Sequence, residues 1–197
     1  MRVYRLKTPL SSSDVQALRC GDVVYLSGTI VTARDSAHKR ISEELKRGGE
    51  LPVDVRGLPI YHAGPVVKAE DGNWRIIAIG PTTSYRVSRY VEDVCRAGVK
   101  MIIGKGGLSQ ECVEVLRKYK CAYCSLTGGV AVTAAKSVKR VLGVEWLDLG
   151  IPEAMWILEV EELGPLLVTM DSHGADLYSE VESRAKRLME GALIMFS

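Results

Sequence analysis

Ile76-Ile77-Ala78-Ile79-Gly80-Pro81-Thr82-Thr83, Met101-Ile102-Ile103-Gly104-Lys105-Gly106-Gly107 and Tyr123-Cys124-Ser125-Leu126-Thr127-Gly128-Gly129 are three short apolar runs, each stopped by a glycine turn. Gly80, Gly104 and Gly128 fall 24 residues apart, the rhythm of repeated strand-turn-helix units. The reading is an α/β fold in which three βα units form the edge of a parallel sheet, with additional strands. Glycine takes φ > 0 without penalty and lets backbone N–H groups approach a ligand, while a following helix presents its partly positive N-terminus. Three such junctions side by side predict a cup for a small anion.

Outward from this centre the periodicities are consistent. In the segment after Gly80, Val87, Tyr90, Val91, Val94 and Cys95 form one helical stripe, and Gly98 ends it. Upstream, Val23 to Thr32 is β-branched and strand-like, Asp35 reads as an N-cap, and Ala37, Ile41 and Leu45 recur on one helix face before the Gly48-Gly49 stop. Leu51 to Pro59 reads as loop, Ile60 to Lys68 as a strand, and Asp71-Gly72-Asn73 as a hairpin turn into Trp74 to Ile79. After Gly143, Met155 to Val160 and Leu166 to Met170 read as two strands around a Gly164-Pro165 turn. A last helix runs from about Asp176 to Met189, its apolar side carrying Leu177, Val181, Ala185 and Leu188.

Composition narrows the function. A chain of 197 residues with no linker reads as a single domain spanning 1–197. With 26 basic against 24 acidic side chains the net charge is +2, so no nucleic-acid face is required. The apolar runs are too short for a signal peptide or a membrane span, and a cytoplasmic protein is expected. Five cysteines are an odd number at no framework spacing, which predicts reduced thiols. Cys121 and Cys124 have CxxC spacing, but in a strand residues i and i+3 point to opposite faces, so buried inert thiols are the expectation and no metal site is assigned to this chain.

The strand ends bring Thr82, Arg86, Lys105 and the Gly128-Gly129 amides to one sheet edge, where open α/β folds bind ligands. Arg86 follows Thr82 by one helical turn. A guanidinium fork and a lysine point charge suit a dicarboxylate or a phosphate. Gly104-Lys105-Gly106-Gly107 lacks the spacing and the hydroxyl of a nucleotide P-loop. Simpler roles exist for each: Thr82 or Thr83 as a helix cap, Arg86 and Lys105 as surface charges, and Arg34 as partner of a nearby acid. His38, His62 and His173 share no ligand spacing and fit satisfied structural histidines.

Gly21-Asp22-Val23-Val24-Tyr25-Leu26-Ser27-Gly28-Thr29, Thr32-Ala33-Arg34-Asp35-Ser36-Ala37-His38, Tyr61-His62-Ala63-Gly64-Pro65, Gly80-Pro81-Thr82-Thr83-Ser84-Tyr85-Arg86, Gly104-Lys105-Gly106-Gly107, and Gly150-Ile151-Pro152-Glu153-Ala154-Met155-Trp156 through Asp171-Ser172-His173-Gly174 resemble, in order, the class I fumarate hydratase family. The match is to its β subunit, equivalent to the C-terminal domain of single-chain enzymes. The L-tartrate dehydratase β subunit is a close relative, and the Thr-Ala-Arg-Asp-x-Ala-His motif leans towards fumarase. The resemblance implies a swivelling β/β/α domain and a hydro-lyase that interconverts fumarate and (S)-malate. It implies a [4Fe-4S] cluster held by a separate α subunit, an α2β2 heterotetramer, and no catalysis by this chain alone. By motif, Arg34, Arg86 and Lys105 would bind substrate carboxylates and Thr82 would stand where the family's base lies. His38, Thr83, Gly106, Gly128 and Gly129 would support them. The isolated chain would self-associate, as a homodimer, if its α-facing surface is apolar. The alternative outside this class is a stand-alone module that binds a small anion without catalysis.

Overall fold

The computed structural model describes residues 1–70 and 72–195. In chain order these form β1 (Val3–Lys7), α1 (Ser12–Ala17), β2 (Val23–Thr32), α2 (Asp35–Lys46), β3 (Pro59–Tyr61), β4 (Val66–Glu70) and β5 (Asn73–Ala78). A 3-10 helix (Ser84–Tyr90) then leads into α3 (Val91–Arg96), followed by β6 (Met101–Gly104), α4 (Cys112–Tyr119), β7 (Ala122–Ser125), α5 (Ala131–Ser137), β8 (Val138–Glu145), a 3-10 turn (Leu147–Leu149), β9 (Met155–Met170) and α6 (Leu177–Met195).

The neighbours β1, β2, β3, β6 and β7 run parallel in that order. The long β9 runs antiparallel to β7 and also antiparallel to β2, so β2-β3-β6-β7-β9 closes on itself. A closed sheet has no unpaired edge to expose. β8 pairs with the first half of β9, and β4 and β5 form a separate antiparallel hairpin.

Side chains alternate between two apolar clusters, as the two-residue period of a strand requires. Tyr61, Met101, Ile103, Ala122 and Cys124 pool with Val24, Leu26, Leu158 and Val160 in one cluster. Ile60, Ile102 and Tyr123 turn to the other, beneath α2, α3 and α4. Both faces of β6 are therefore fully buried, which explains why Met101-Ile102-Ile103 is continuously apolar rather than alternating. Cys121 and Cys124 fall in opposite clusters, and all five cysteines are free thiols.

Several sequence expectations need correction. β6 and β7 are parallel sheet strands, but the run ending at Gly80 belongs to the β4-β5 hairpin, so the barrel takes two of the three expected βα strands. Nor do three helix N-termini meet: the 80s segment opens a 3-10 helix, α4 begins only at Cys112, and α5 alone follows its glycine turn closely. The expected strand Ile60 to Lys68 is two strands in different sheets, because the chain leaves the barrel at His62 to pair elsewhere. The expected pair after Gly143 is one unbroken strand, β9, running through Gly164 and Pro165. Asp35 is the first residue of α2, while Arg34 holds the N-cap position and makes no side-chain cap bond. Asp71 of the proposed hairpin turn lies outside the described residues. β1, α1 and β8 were not anticipated. α6 forms, but its expected packing stripe does not pack: Val181 and Leu188 are exposed. Among the described residues no helix is long and apolar enough to cross a membrane.

Ile102→Ala, which would hollow a fully buried site in the helix-covered cluster, is expected to cost about 3 kcal/mol. Leu188→Ala on the exposed side of α6 is expected to cost under about 0.5 kcal/mol. Urea denaturation of both variants checks the contrast.

Candidate functional site

Beyond their last residues the parallel strands remain stitched by backbone hydrogen bonds. Ala33 N–H donates to Tyr61 C=O (3.1 Å), His62 N–H to Ile103 C=O (2.7 Å) and Leu126 N–H to Gly104 C=O (2.8 Å). Residues 82–84 are inserted as one more short rung. Thr82 N–H donates to His62 C=O (2.7 Å), Lys105 N–H to Thr82 C=O (3.0 Å) and Ser84 N–H to Lys105 C=O (3.0 Å). The result is a parallel bridge between Thr83 and Lys105. Thr82 and Lys105, 23 positions apart in sequence, thus sit on neighbouring rungs at the C-terminal rim of the parallel strands.

Gly104 is required here by contact rather than by φ. A Cβ at this position would lie 1.8 Å from Ser84 Oγ and 3.1 Å from His62 Nδ1. Gly104→Ala is expected to cost about 2 kcal/mol by overpacking, read as a fall in the midpoint of thermal unfolding.

The two arginines already hold acids. Arg86 grips Asp35 in bidentate fashion, Nε to Oδ1 at 3.0 Å and an Nη to Oδ2 at 2.9 Å, and that hydrogen bonding holds the Asp35 carboxyl below its ordinary range. Both side chains are nearly half exposed, so the pair adds little stability. Arg34 Nε lies 3.2 Å from Glu153 Oε1, while the other Glu153 oxygen accepts the Ser36 N–H at 2.7 Å, in the first turn of α2. Gly64 makes room for Arg34, since a Cβ there would lie 2.6 Å from Arg34 Cδ and 2.3 Å from Pro152 O. Lys105 differs: it is exposed and, among the described residues, has no acidic partner. Gly128 lies against it, its virtual Cβ 3.3 Å from Lys105 Cδ. A cavity of about 490 Å³ opens beside Lys105, lined also by Gly106, Ser125, Thr127, Gly128 and Tyr178. A slightly larger groove between β5, α5 and β8 is lined by none of these groups.

Thr82 Oγ1 donates to the His62 carbonyl at 3.0 Å. Thr83 holds the N-cap position of the 3-10 helix but makes no side-chain cap bond, so neither threonine serves as the ordinary helix cap. No backbone acceptor engages the N–H groups of Gly106, Gly107, Gly128 or Gly129 among the described residues. Gly106 and Gly129 take positive φ, +74° and +82°.

Beneath the rim His38 and His62 meet edge to face, ring centroids 4.8 Å apart, with Tyr90 stacked on His38. Both are buried. His62 Nδ1 lies 2.8 Å from Ser84 Oγ, but among the described residues neither nitrogen of His38, nor Nε2 of His62, has a hydrogen-bond partner. The expectation of satisfied structural histidines therefore fails at His38, where burial prevails over hydrogen bonding. It holds at His173, whose Nε2 lies 2.9 Å from Gln16 O. Burial pushes His38 down to about 4, against the opposing charge of Asp35. His62 is pushed well below its ordinary value by burial, with His38 and Arg86 adding to it.

A depressed histidine pKa means that the unfolded chain takes up the proton first as pH falls. Stability is expected to be full above about pH 6.5 and to decline towards pH 4, the window between the ordinary and the folded His38 values. Urea midpoints at pH 7 and pH 5 should show this fall, and it should be smaller in His38→Phe.

The chain's own thiols do not fit an iron-sulfur cluster. Cys124 and Cys121 point to opposite clusters, burial raises the Cys124 thiol and pushes half-buried Cys20 up to about 12, and cluster ligands must converge as thiolates. Among the described residues no three His, Cys, Asp or Glu side chains are grouped to hold a metal ion.

A closed mixed barrel whose rim gathers three cations, a hydroxyl and unengaged glycine amides defines an α/β protein suited to a small anion. The family model described as Fumarase C-terminus matches residues 1–181, and the chain belongs to that family. It is 46% identical over 177 residues, 89% of this chain and 91% of the relative, to the protein named "Putative L(+)-tartrate dehydratase subunit beta" of Methanocaldococcus jannaschii. It is 42% identical over 176 residues, 89% and 86% of the two chains, to the L(+)-tartrate dehydratase subunit beta of Escherichia coli K12. It is 40% identical over 183 residues to "Putative fumarate hydratase class I" of Geobacillus stearothermophilus, covering 92% of this chain but 34% of that protein. These relatives are named as hydro-lyases or their subunits, so the family is one of enzymes.

Proposed function

We propose that this chain is the β subunit of a two-subunit [4Fe-4S] hydro-lyase interconverting fumarate and (S)-malate, and that it supplies the carboxylate-binding wall of a shared active site. The observation that carries the reading is the rim: Thr82 and Lys105 on adjacent rungs, with Arg86 and Arg34 anchored at the start of α2. In this reading the cluster is held by the α subunit, the assembly is an α2β2 heterotetramer in the cytoplasm, and the domain is of the swivelling β/β/α type. When bound, the cluster supplies Lewis acidity. This chain's part is to hold and orient the dicarboxylate.

Lys105 is the cation ready for a substrate carboxylate, because it has no acid to release. Arg34 and Arg86 present planar forks whose present partners, Glu153 and Asp35, must share or yield them. Thr82 as the base carries a geometric condition. Its proton points at the His62 carbonyl, and an alkoxide left in that place would face carbonyl lone pairs. To act as the base, the hydroxyl must turn towards Lys105 and lose its own proton to solvent; the alkoxide then takes the proton from carbon and becomes the hydroxyl again.

L-Tartrate dehydration is the second reading, favoured by the names of the two relatives that match nearly end to end. Tartrate has the same two carboxylates plus one more hydroxyl, so the cations do not choose between the substrates. A hydrogen-bonding group for that hydroxyl would.

The test is anaerobic reconstitution with the cognate cluster-bearing subunit, followed by assays with malate, fumarate and L-tartrate. Lys105→Ala and Arg86→Ala are each expected to lower kcat/KM about 100-fold, the scale of a lost charge-assisted contact, with assembly intact. Turnover of tartrate alone would select the second reading. A cluster-loaded assembly inactive on all three substrates would overturn both readings, and failure to assemble would favour the stand-alone anion-binding module.

A further inference from the structure

Three fully buried side chains lie directly under the Thr82 and Lys105 rungs and are not among the groups that would touch substrate: His62, Ser84 and Tyr123. His62 Nδ1 is 2.8 Å from Ser84 Oγ, Ser84 Oγ is 2.9 Å from Tyr123 Oη, and Tyr123 Oη is 2.7 Å from Gly106 O. Tyr123 Oη donates to Gly106 O and to Ser84 Oγ, and the Ser84 hydroxyl meets His62 Nδ1 on its other side. The contacts run unbroken from His62 through Ser84 and Tyr123 to the Gly106 carbonyl.

A carbonyl cannot pass a proton on, so this is no proton path to the substrate. It is a tie between two loops. At one end the His62 carbonyl takes both the N–H and the hydroxyl of Thr82. At the other, the Gly106 carbonyl is fixed by Tyr123 and, at 3.1 Å, by Ser125. In a trans peptide the next N–H points opposite to the carbonyl, so the Gly107 amide, which no backbone acceptor engages, is turned away from Tyr123.

We propose that His62, Ser84 and Tyr123 are positioning residues that set the spacing of Thr82 and Lys105 and aim the Gly107 N–H at a substrate carboxylate. This rests on the hydro-lyase reading of the rim. Networks that hold a site in its bound geometry act on binding through preorganisation.

In the reconstituted enzyme, Tyr123→Phe and Ser84→Ala are each expected to raise KM about five- to tenfold with kcat within twofold, and the double variant to be no worse than the weaker single, since both cut the same chain. His62→Asn keeps a hydrogen-bonding group near the Nδ1 position and should retain wild-type KM, whereas His62→Leu should not. Unchanged KM in Tyr123→Phe, or losses of kcat and KM that only follow the loss of folded protein, would overturn the proposal. An independent readout is the 15N spectrum of the His62 ring in the isolated full chain. A His62 Nδ1 resonance that shifts in Ser84→Ala supports the network even if the assembled enzyme turns over neither malate nor tartrate, in which case it is the functional reading that fails. An Nδ1 resonance unchanged in Ser84→Ala would overturn the network outright.

Discussion

Hydrogen bonding of β9 to β2 along one edge and to β7 along the other is the constraint on which the remaining structure depends. Without it the five strands would form an open sheet with two free edges, and the inward residues Leu26, Ile103 and Val160 would lack a common interior. With it, the ends of β2, β3, β6 and β7 form a rim. The short connections that leave this rim are then forced close together. Arg34, His62, Lys105 and Gly128 owe their proximity to the parallel pairing of β2, β3, β6 and β7, because no local sequence spacing would bring them together.

The charges on the rim are unequal in a way that bears on its chemistry. Arg86 is clasped in bidentate fashion by Asp35 at the start of α2, which fixes its guanidinium plane, while Arg34 is held by an ion pair alone to Glu153 just before β9. Lysine has no plane to fix, and among the described residues Lys105 stands without an acid. A dianion arriving here meets one point charge and two forks already paired with acids. Below them the neutral histidines keep further positive charge out of the interior, since a proton on either ring would have to sit buried, and on His62 near Arg86 as well.

What the sequence made legible follows from which signals are local. The glycine turns at Gly104 and Gly128 follow true parallel strands, and the stripe Ala37, Ile41, Leu45 marks a helix that formed. The same glycine logic misplaced Ile76 to Ile79, because an apolar run before a glycine does not say which sheet it joins. Gly164-Pro165 read as a turn, yet β9 passes through it, since Pro165 lies where the strand shifts partners and ladder pairing is irregular. The side chains Arg34, Arg86, Lys105 and Thr82 drew attention through their chemistry and their motifs. Ser84 and Tyr123 did not, because a serine and a strand tyrosine carry no local mark of being joined. The β6–β7 pairing, with residues 82–84 bonded to Lys105, brings residue 84 to residue 123, and neither the tyrosine's depth nor its bond to Gly106 carries a local mark in the sequence.

The length of the loop that β9 closes has a consequence for how the chain is made. β2 is complete by residue 32, yet its antiparallel neighbour spans Met155–Met170, so more than a hundred residues must be synthesised before that pairing exists. Contacts this distant in sequence are slow to form and leave strand edges open while they wait. During translation the parallel strands β1, β2, β3, β6 and β7 emerge as an unclosed sheet with apolar faces, and residues near the C-terminus seal it. Truncation before Met170 would therefore leave an aggregation-prone sheet rather than a smaller barrel, and the nascent chain has reason to depend on chaperones until its last strand clears the ribosome.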